Sequence, residues 1–69
     1  MDEYTFVTVR RYHDPIVAEL MMTALHNAGI RTFRLDETSG SLPTGNVEIK
    51  VLESDVEYAL EVIAHQENL

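Results

Sequence analysis

Between Asp14 and Ile30 the chain carries the markers of both ends of one α-helix, and that stretch constrains the fold more than any other. Asp14 is of N-cap type, because its carboxylate can accept hydrogen bonds from the unpaired N–H groups of a first turn. Pro15 follows at the first helical position, where its missing N–H costs nothing. Val17, Ala18, Met21, Ala24, Leu25 and Ala28 then recur at the three-and-four spacing of a single apolar face. Gly29 stands where a helix ends on a left-handed residue, and Ile30 is placed to fold back on the last turn. Leu20 and Met22 widen the stripe, so the helix is expected to pack on both a sheet and a second helix, or to lend one edge to a subunit interface.

The remaining elements arrange themselves around this helix. Tyr4 to Arg10 is β-branched and aromatic and reads as a strand, with Tyr4, Phe6 and Thr8 on one side and Thr5, Val7 and Val9 on the other. Tyr12 falls in the turn before the helix and is expected to pack against it. A second strand runs from Arg31 to Leu35, with Phe33 and Leu35 on one face. Asp36 to Asn46 is rich in Ser, Thr, Gly and Pro and reads as a loop, long enough to suggest a functional one. Val47 to Leu52 alternates cleanly, with Val47, Ile49 and Val51 toward a core. Ser54 and Glu57 have the spacing of a capping box. A second helix follows to about Gln66, its apolar side formed by Val56, Ala59, Leu60, Ile63 and Ala64.

The order β-α-β-β-α predicts an α+β fold, a split β-α-β of ferredoxin-like plan lacking the fourth strand. A right-handed crossover leaves a gap between the first two strands that the third fills antiparallel. The expected sheet is three-stranded and antiparallel, ordered 1-3-2, with both helices on one face. The first strand is then an edge with no Pro or inward charge to protect it. With Val7 and Val9 toward the helices, the open face would hold Tyr4, Phe6, Thr8, Thr32, Arg34, Glu48, Lys50 and Leu52.

Sixty-nine residues form one small domain, 1–69, and the absence of Cys removes disulfides and thiolate metal sites. So small a core, without staples, leans on close packing or oligomerisation. Twelve acids against five bases give a net charge of −7, which repels phosphate and argues against nucleic acid or an anionic membrane as partner. Asp55, Glu57, Glu61 and Glu67 load the C-terminal segment, whereas Arg10, Arg11, Arg31, Arg34 and Lys50 all fall in strand segments. The start, Met-Asp-Glu, is no secretory signal, and no stretch is long and apolar enough to span a bilayer. A soluble cytoplasmic protein is expected.

The sequence resembles a known family in Tyr12 before Asp14-Pro15, in Ala18-Glu19-Leu20, Leu25 and Ala28-Gly29-Ile30, and later in Pro43, the strand Val47 to Val51, and Glu57, Ala59 and Leu60. It looks like the family of putative prokaryotic signal-transducing proteins, a domain of unknown function, over nearly its whole length. The resemblance implies a fold similar to the PII-type nitrogen-regulatory proteins, which are ferredoxin-like and trimeric. It places the Asp36–Asn46 loop where those proteins carry their effector-contacting loop. It brings no catalytic residue and no nucleotide-binding signature.

Little chemistry is written in the residues themselves. His13, His26 and His65 share no ligand spacing such as i, i+4, so no metal site is expected. The acids sit on helix faces or at caps, no nucleophile is paired with a base, and so short a chain has little room for an ordinary pocket. The chain therefore reads as a non-enzyme without cofactor.

Three functions are compatible with these features. The first is a regulatory or protein-interaction module, a homo-oligomer with a protein partner, acting through an open face that includes Tyr4, Phe6, Thr8, Arg34 and Lys50, through its free first strand, or through the loop. The second is a sensor in which an anionic effector meets Arg31, Arg34 or Lys50 and orders Ser39, Gly40, Ser41, Thr44 and Gly45. The third is base stacking on Tyr4 and Phe6, which the net charge opposes.

Overall fold

A computed structural model describes residues 5–39 and 42–69, and the side chains of these except at 37–39 and 42–45. The chain forms β1 (Phe6–Tyr12), α1 (Pro15–Asn27), β2 (Thr32–Ser39), β3 (Leu42–Leu52), a short 3-10 turn (Glu53–Asp55) and α2 (Val56–Glu67). β3 lies between the other two strands and is antiparallel to both, so the sheet order is 1-3-2. This is the split β-α-β expected from the sequence.

The ends of α1 follow from local chemistry. Ile16 N–H donates to Asp14 Oδ1 at 2.9 Å, and Pro15 opens the first turn. At the other end Gly29 has φ +82°, the left-handed conformation that a Cβ disfavours. Its N–H donates to His26 O at 2.9 Å, and Ile30 N–H reaches back to Leu25 O at 3.0 Å. The pair of bonds is a Schellman motif, and Ile30, buried at its end, supplies the accompanying apolar contact.

One face of the sheet is covered. Val9, Val47, Ile49 and Val51 meet Ala18, Met21 and Leu25 of α1 and Ala59 and Ile63 of α2 in a single core, with Ile30 closing it. Leu25, Ile49, Ile63 and Val51 are its largest fully buried side chains. Each contributes about 1.5–3 kcal/mol by leaving water.

Several local expectations change. Tyr12 is the last residue of β1 rather than part of a turn. The register with β3 shifts between Thr8 and Arg10, so Val9 is the extra residue of a β-bulge. Beyond it, Arg10 pairs with Ile49 and Tyr12 with Val47, which turns both toward the helices.

The described residues of the stretch Asp36 to Asn46 are strand, not loop. β2 continues to Ser39 and β3 begins at Leu42, with Thr38 paired to Pro43 and Ser39 to Leu42. Composition misleads here because Thr suits an extended ribbon as well as a loop. Pro43 is tolerated because β1 pairs with β3 only up to Val47, which leaves that part of β3 with an outer edge.

The start of α2 also differs. No side chain caps it, and the Ser54–Glu57 box does not form; instead the 3-10 turn runs straight in, and Val56 N–H donates to Glu53 O. Glu53 N–H in turn donates to Thr5 O at 2.9 Å. Ala59 and Ile63 face the core with Val56 and Val62 beside them, while Leu60 and Ala64 are exposed.

Candidate interaction surface

Among the described residues no helix covers the other face of the sheet. Strand parity places Phe6, Thr8 and Arg11 of β1, Glu48, Lys50 and Leu52 of β3, and Phe33 and Leu35 of β2 on it. Phe6 pairs with Leu52, Thr8 and Phe33 flank Lys50, and Arg11 and Leu35 flank Glu48. Phe6 and Phe33 reach toward each other across β3, with ring centroids 6.1 Å apart and planes at 50°. Both stay accessible, 38% and 53% exposed, and Leu35 is 41% exposed. Apolar side chains from three strands thus form one patch open to solvent.

Polar groups punctuate this patch. Glu48 is only 7% exposed although it lies on the open face. Thr8 Oγ1 donates to its Oε1 at 2.8 Å, and Arg11 Nη2 lies 3.5 Å from the same oxygen. A desolvated carboxylate needs such partners. Lys50, half-buried between Thr8 and Phe33, has no ion-pair partner among the described residues.

Phe6, Thr8 and Lys50 therefore lie where the sequence places them, and Tyr4 lies outside the described residues. Arg34 does not belong to this face. It pairs with Ile49, so it points to the helix side, where Nη1 meets Glu19 Oε2 at 2.7 Å and Nε meets Asp36 Oδ1 at 2.8 Å. The Asp36 hydrogen bond, foremost, raises its pKa. Thr32 is likewise on the helix side, 2.6 Å from His26 Nε2 through its hydroxyl.

Phe33 and Leu35 take the places assigned to Thr32 and Arg34. The signal for this is Ile30: the Schellman motif fixes it in the core, and two-residue parity carries that side to Thr32 and Arg34.

Of the residues proposed to receive an effector, Ser39, Thr44 and Gly45 belong to β2 and β3, and Gly40 and Ser41 lie outside the described residues. Lys50 does not converge with Arg34, which is already paired on the opposite side of the sheet. The described residues hold no group of three or more His, Cys, Asp or Glu placed to bind a metal. None of their helices is long and apolar enough to cross a membrane.

A second concavity lies between the helices on their outer side, about 490 Å³ in volume. Leu20, Thr23, Ala24 and Asn27 of α1 line it opposite Tyr58, Glu61, Val62, His65 and Gln66 of α2. Leu20 is thus an exposed wall of this groove, 59% accessible, whereas Met22 packs partly against the core.

Comparison with protein families adds to this geometry. The family described as "Putative prokaryotic signal transducing protein" matches residues 6–67. The chain belongs to that family. The matched span runs from Phe6 on the open face to Glu67 at the end of α2, and so takes in the sheet, both helices and both surfaces just described. Neither curated proteins nor solved structures give a significant match.

Proposed function

We propose that this protein is a small cytoplasmic regulatory module that serves signal transduction by protein contact, without catalysis, and that its contact surface is the open sheet face. The supporting observation is the Phe6–Phe33 pair: two aromatic residues from opposite edge strands, packed together and still more than a third exposed on a face that no helix of the described residues covers. Apolar groups gathered this way favour burial against another protein. Lys50 and the hydrogen-bonded Arg11–Glu48–Thr8 cluster interrupt the patch with polar groups, which select the partner's orientation more than they add affinity. The family's description supports a signalling role. The working form in this reading is a homo-oligomer, in keeping with a small core that no disulfide reinforces.

Quantitative affinity capture with three baits tests the reading. The wild type and Leu20→Asp, altered in the helix groove, are expected to retain the same partner, and Phe33→Asp to lose it. A partner held equally by Phe33→Asp and lost by Leu20→Asp would overturn the assignment.

A further inference from the structure

Among the described residues β2 is an edge strand, paired with β3 on one side only. Along Thr32–Asp36 its other side turns alternate backbone N–H and C=O groups outward, which makes it a template for one more strand. β1 is the opposite edge, but the bulge at Val9 breaks its line, and its only charges, Arg10 and Arg11, have the same sign. Self-pairing there can match no opposite charges.

The β2 edge has the reverse property. Arg34 and Asp36 share its helix side, joined at 2.8 Å, and Leu35 between them points to the open face. Consider two copies of this edge set antiparallel, with Leu35 facing its own counterpart across a two-fold axis perpendicular to the sheet. Arg34 of each copy then lies directly opposite Asp36 of the other, and the four charges alternate in sign along and across the junction.

Competing registers are worse. An axis through Arg34 or Asp36 sets like charges face to face. An axis through Phe33 leaves both Asp36 residues unmatched. A slip of one residue opposes side chains from different faces of the sheet. The register of β2 with β3 shifts only beyond Asp36, so the three central pairs fall on regular strand.

The geometry points to a homodimer in which two β2 edges join antiparallel about Leu35, with reciprocal Arg34–Asp36 pairs across the junction. Two three-stranded sheets become one of six, all helices lie on one side, and the two open faces become continuous, with Phe33 and Leu35 of both copies at the centre. This deepens the reading that the protein works by contact and as an oligomer, and rests on it.

Sedimentation equilibrium on the full chain tests the junction. The wild type is expected to be dimeric, Asp36→Arg to weaken the dimer by at least about tenfold, and the reversed pair Arg34→Asp/Asp36→Arg to restore it. Asp36 is exposed, so the fold should survive the change, which circular dichroism checks. Because the chain has no Cys, Leu35→Cys offers an independent readout: mild oxidation should link it to its own counterpart, and should not link Lys50→Cys on the central strand. A wild type that stays monomeric at the highest concentration reached overturns the dimer. A dimer indifferent to Asp36→Arg but broken by Phe6→Asp overturns this junction and leaves the open-face reading standing.

Discussion

Tyr12, the last residue of the first strand, donates its hydroxyl to Glu67 Oε2 in the last turn of the second helix, 2.8 Å away. Arg10 Nε lies 3.6 Å from the same carboxylate oxygen. The contact ties the end of β1 to the end of α2, and it exists because the Val9 bulge turns Arg10 and Tyr12 toward the helices.

Burial, then the Glu67 hydrogen bond, push the Tyr12 pKa up from 10.0 to about 12. The folded state therefore holds this proton more tightly than the unfolded chain. The resulting stability is complete below pH 10.0 and is lost as the pH rises toward about 12. Because Tyr12 is only partly buried, solvent screening should limit the loss to about 1 kcal/mol. Urea unfolding at rising pH should show this decline in the wild type and a flatter one in Tyr12→Phe.

The ends of α1 give a second expectation. Asp14→Ala removes the bond from Ile16 N–H and should cost about 1 kcal/mol. Gly29→Val has room for its Cβ, with nothing within 4 Å, yet must adopt φ +82°. It should cost about 1–2 kcal/mol through backbone strain. Thermal melts of both variants measure these losses; unchanged midpoints would mean that neither end is held as described.

In the core, Ile63→Ala removes a fully buried side chain from the α2 side. The expected loss is about 2–5 kcal/mol, a large share of the stability of a domain of this size. Leu60→Ala, on the exposed side of the same helix, should stay within about 1 kcal/mol. Denaturant titrations of the two variants separate the faces of α2.

Arg34 gives a contrasting case. Its bonds to Glu19 and Asp36 join partly or fully exposed groups, so Arg34→Ala should leave stability nearly unchanged, and the small effect should shrink further in high salt. A larger loss in a melt would show that the pairs hold α1 to the sheet edge.

What could be read from sequence follows how local each signal is. The limits of α1 were legible because Asp14, Pro15 and Gly29 act on their own backbone. The strand order was legible because a crossover helix and a third strand leave few topologies. The face of β2 was not, since Phe33 and Leu35 resemble core residues until Ile30, buried by the helix cap, fixes the parity. The strand pairing beyond Asp36 was hidden because Thr suits either a loop or a ribbon. The Val9 bulge left no mark that side-chain periodicity detects, and it moves Tyr12 into contact with α2. Of the candidate face, Lys50 followed from the clean alternation of the third strand; Phe6 and Thr8 lie on one of two β1 faces that alternation left open, because both carry apolar groups; and Arg34 failed with the β2 parity.

The central claim is that contacts are made by the open sheet face and not by the helical layer. Site-specific photocrosslinking in cells tests it most directly, with a photoreactive phenylalanine analogue placed at Phe6, Phe33 or Tyr58. All three are aromatic and exposed, Tyr58 at 51% on the helix side. Covalent adducts, to a partner or to a second copy, are expected from positions 6 and 33 and not from 58. Adducts from 58, with none from 6 or 33, would contradict the account and move the contact surface to the groove between the helices.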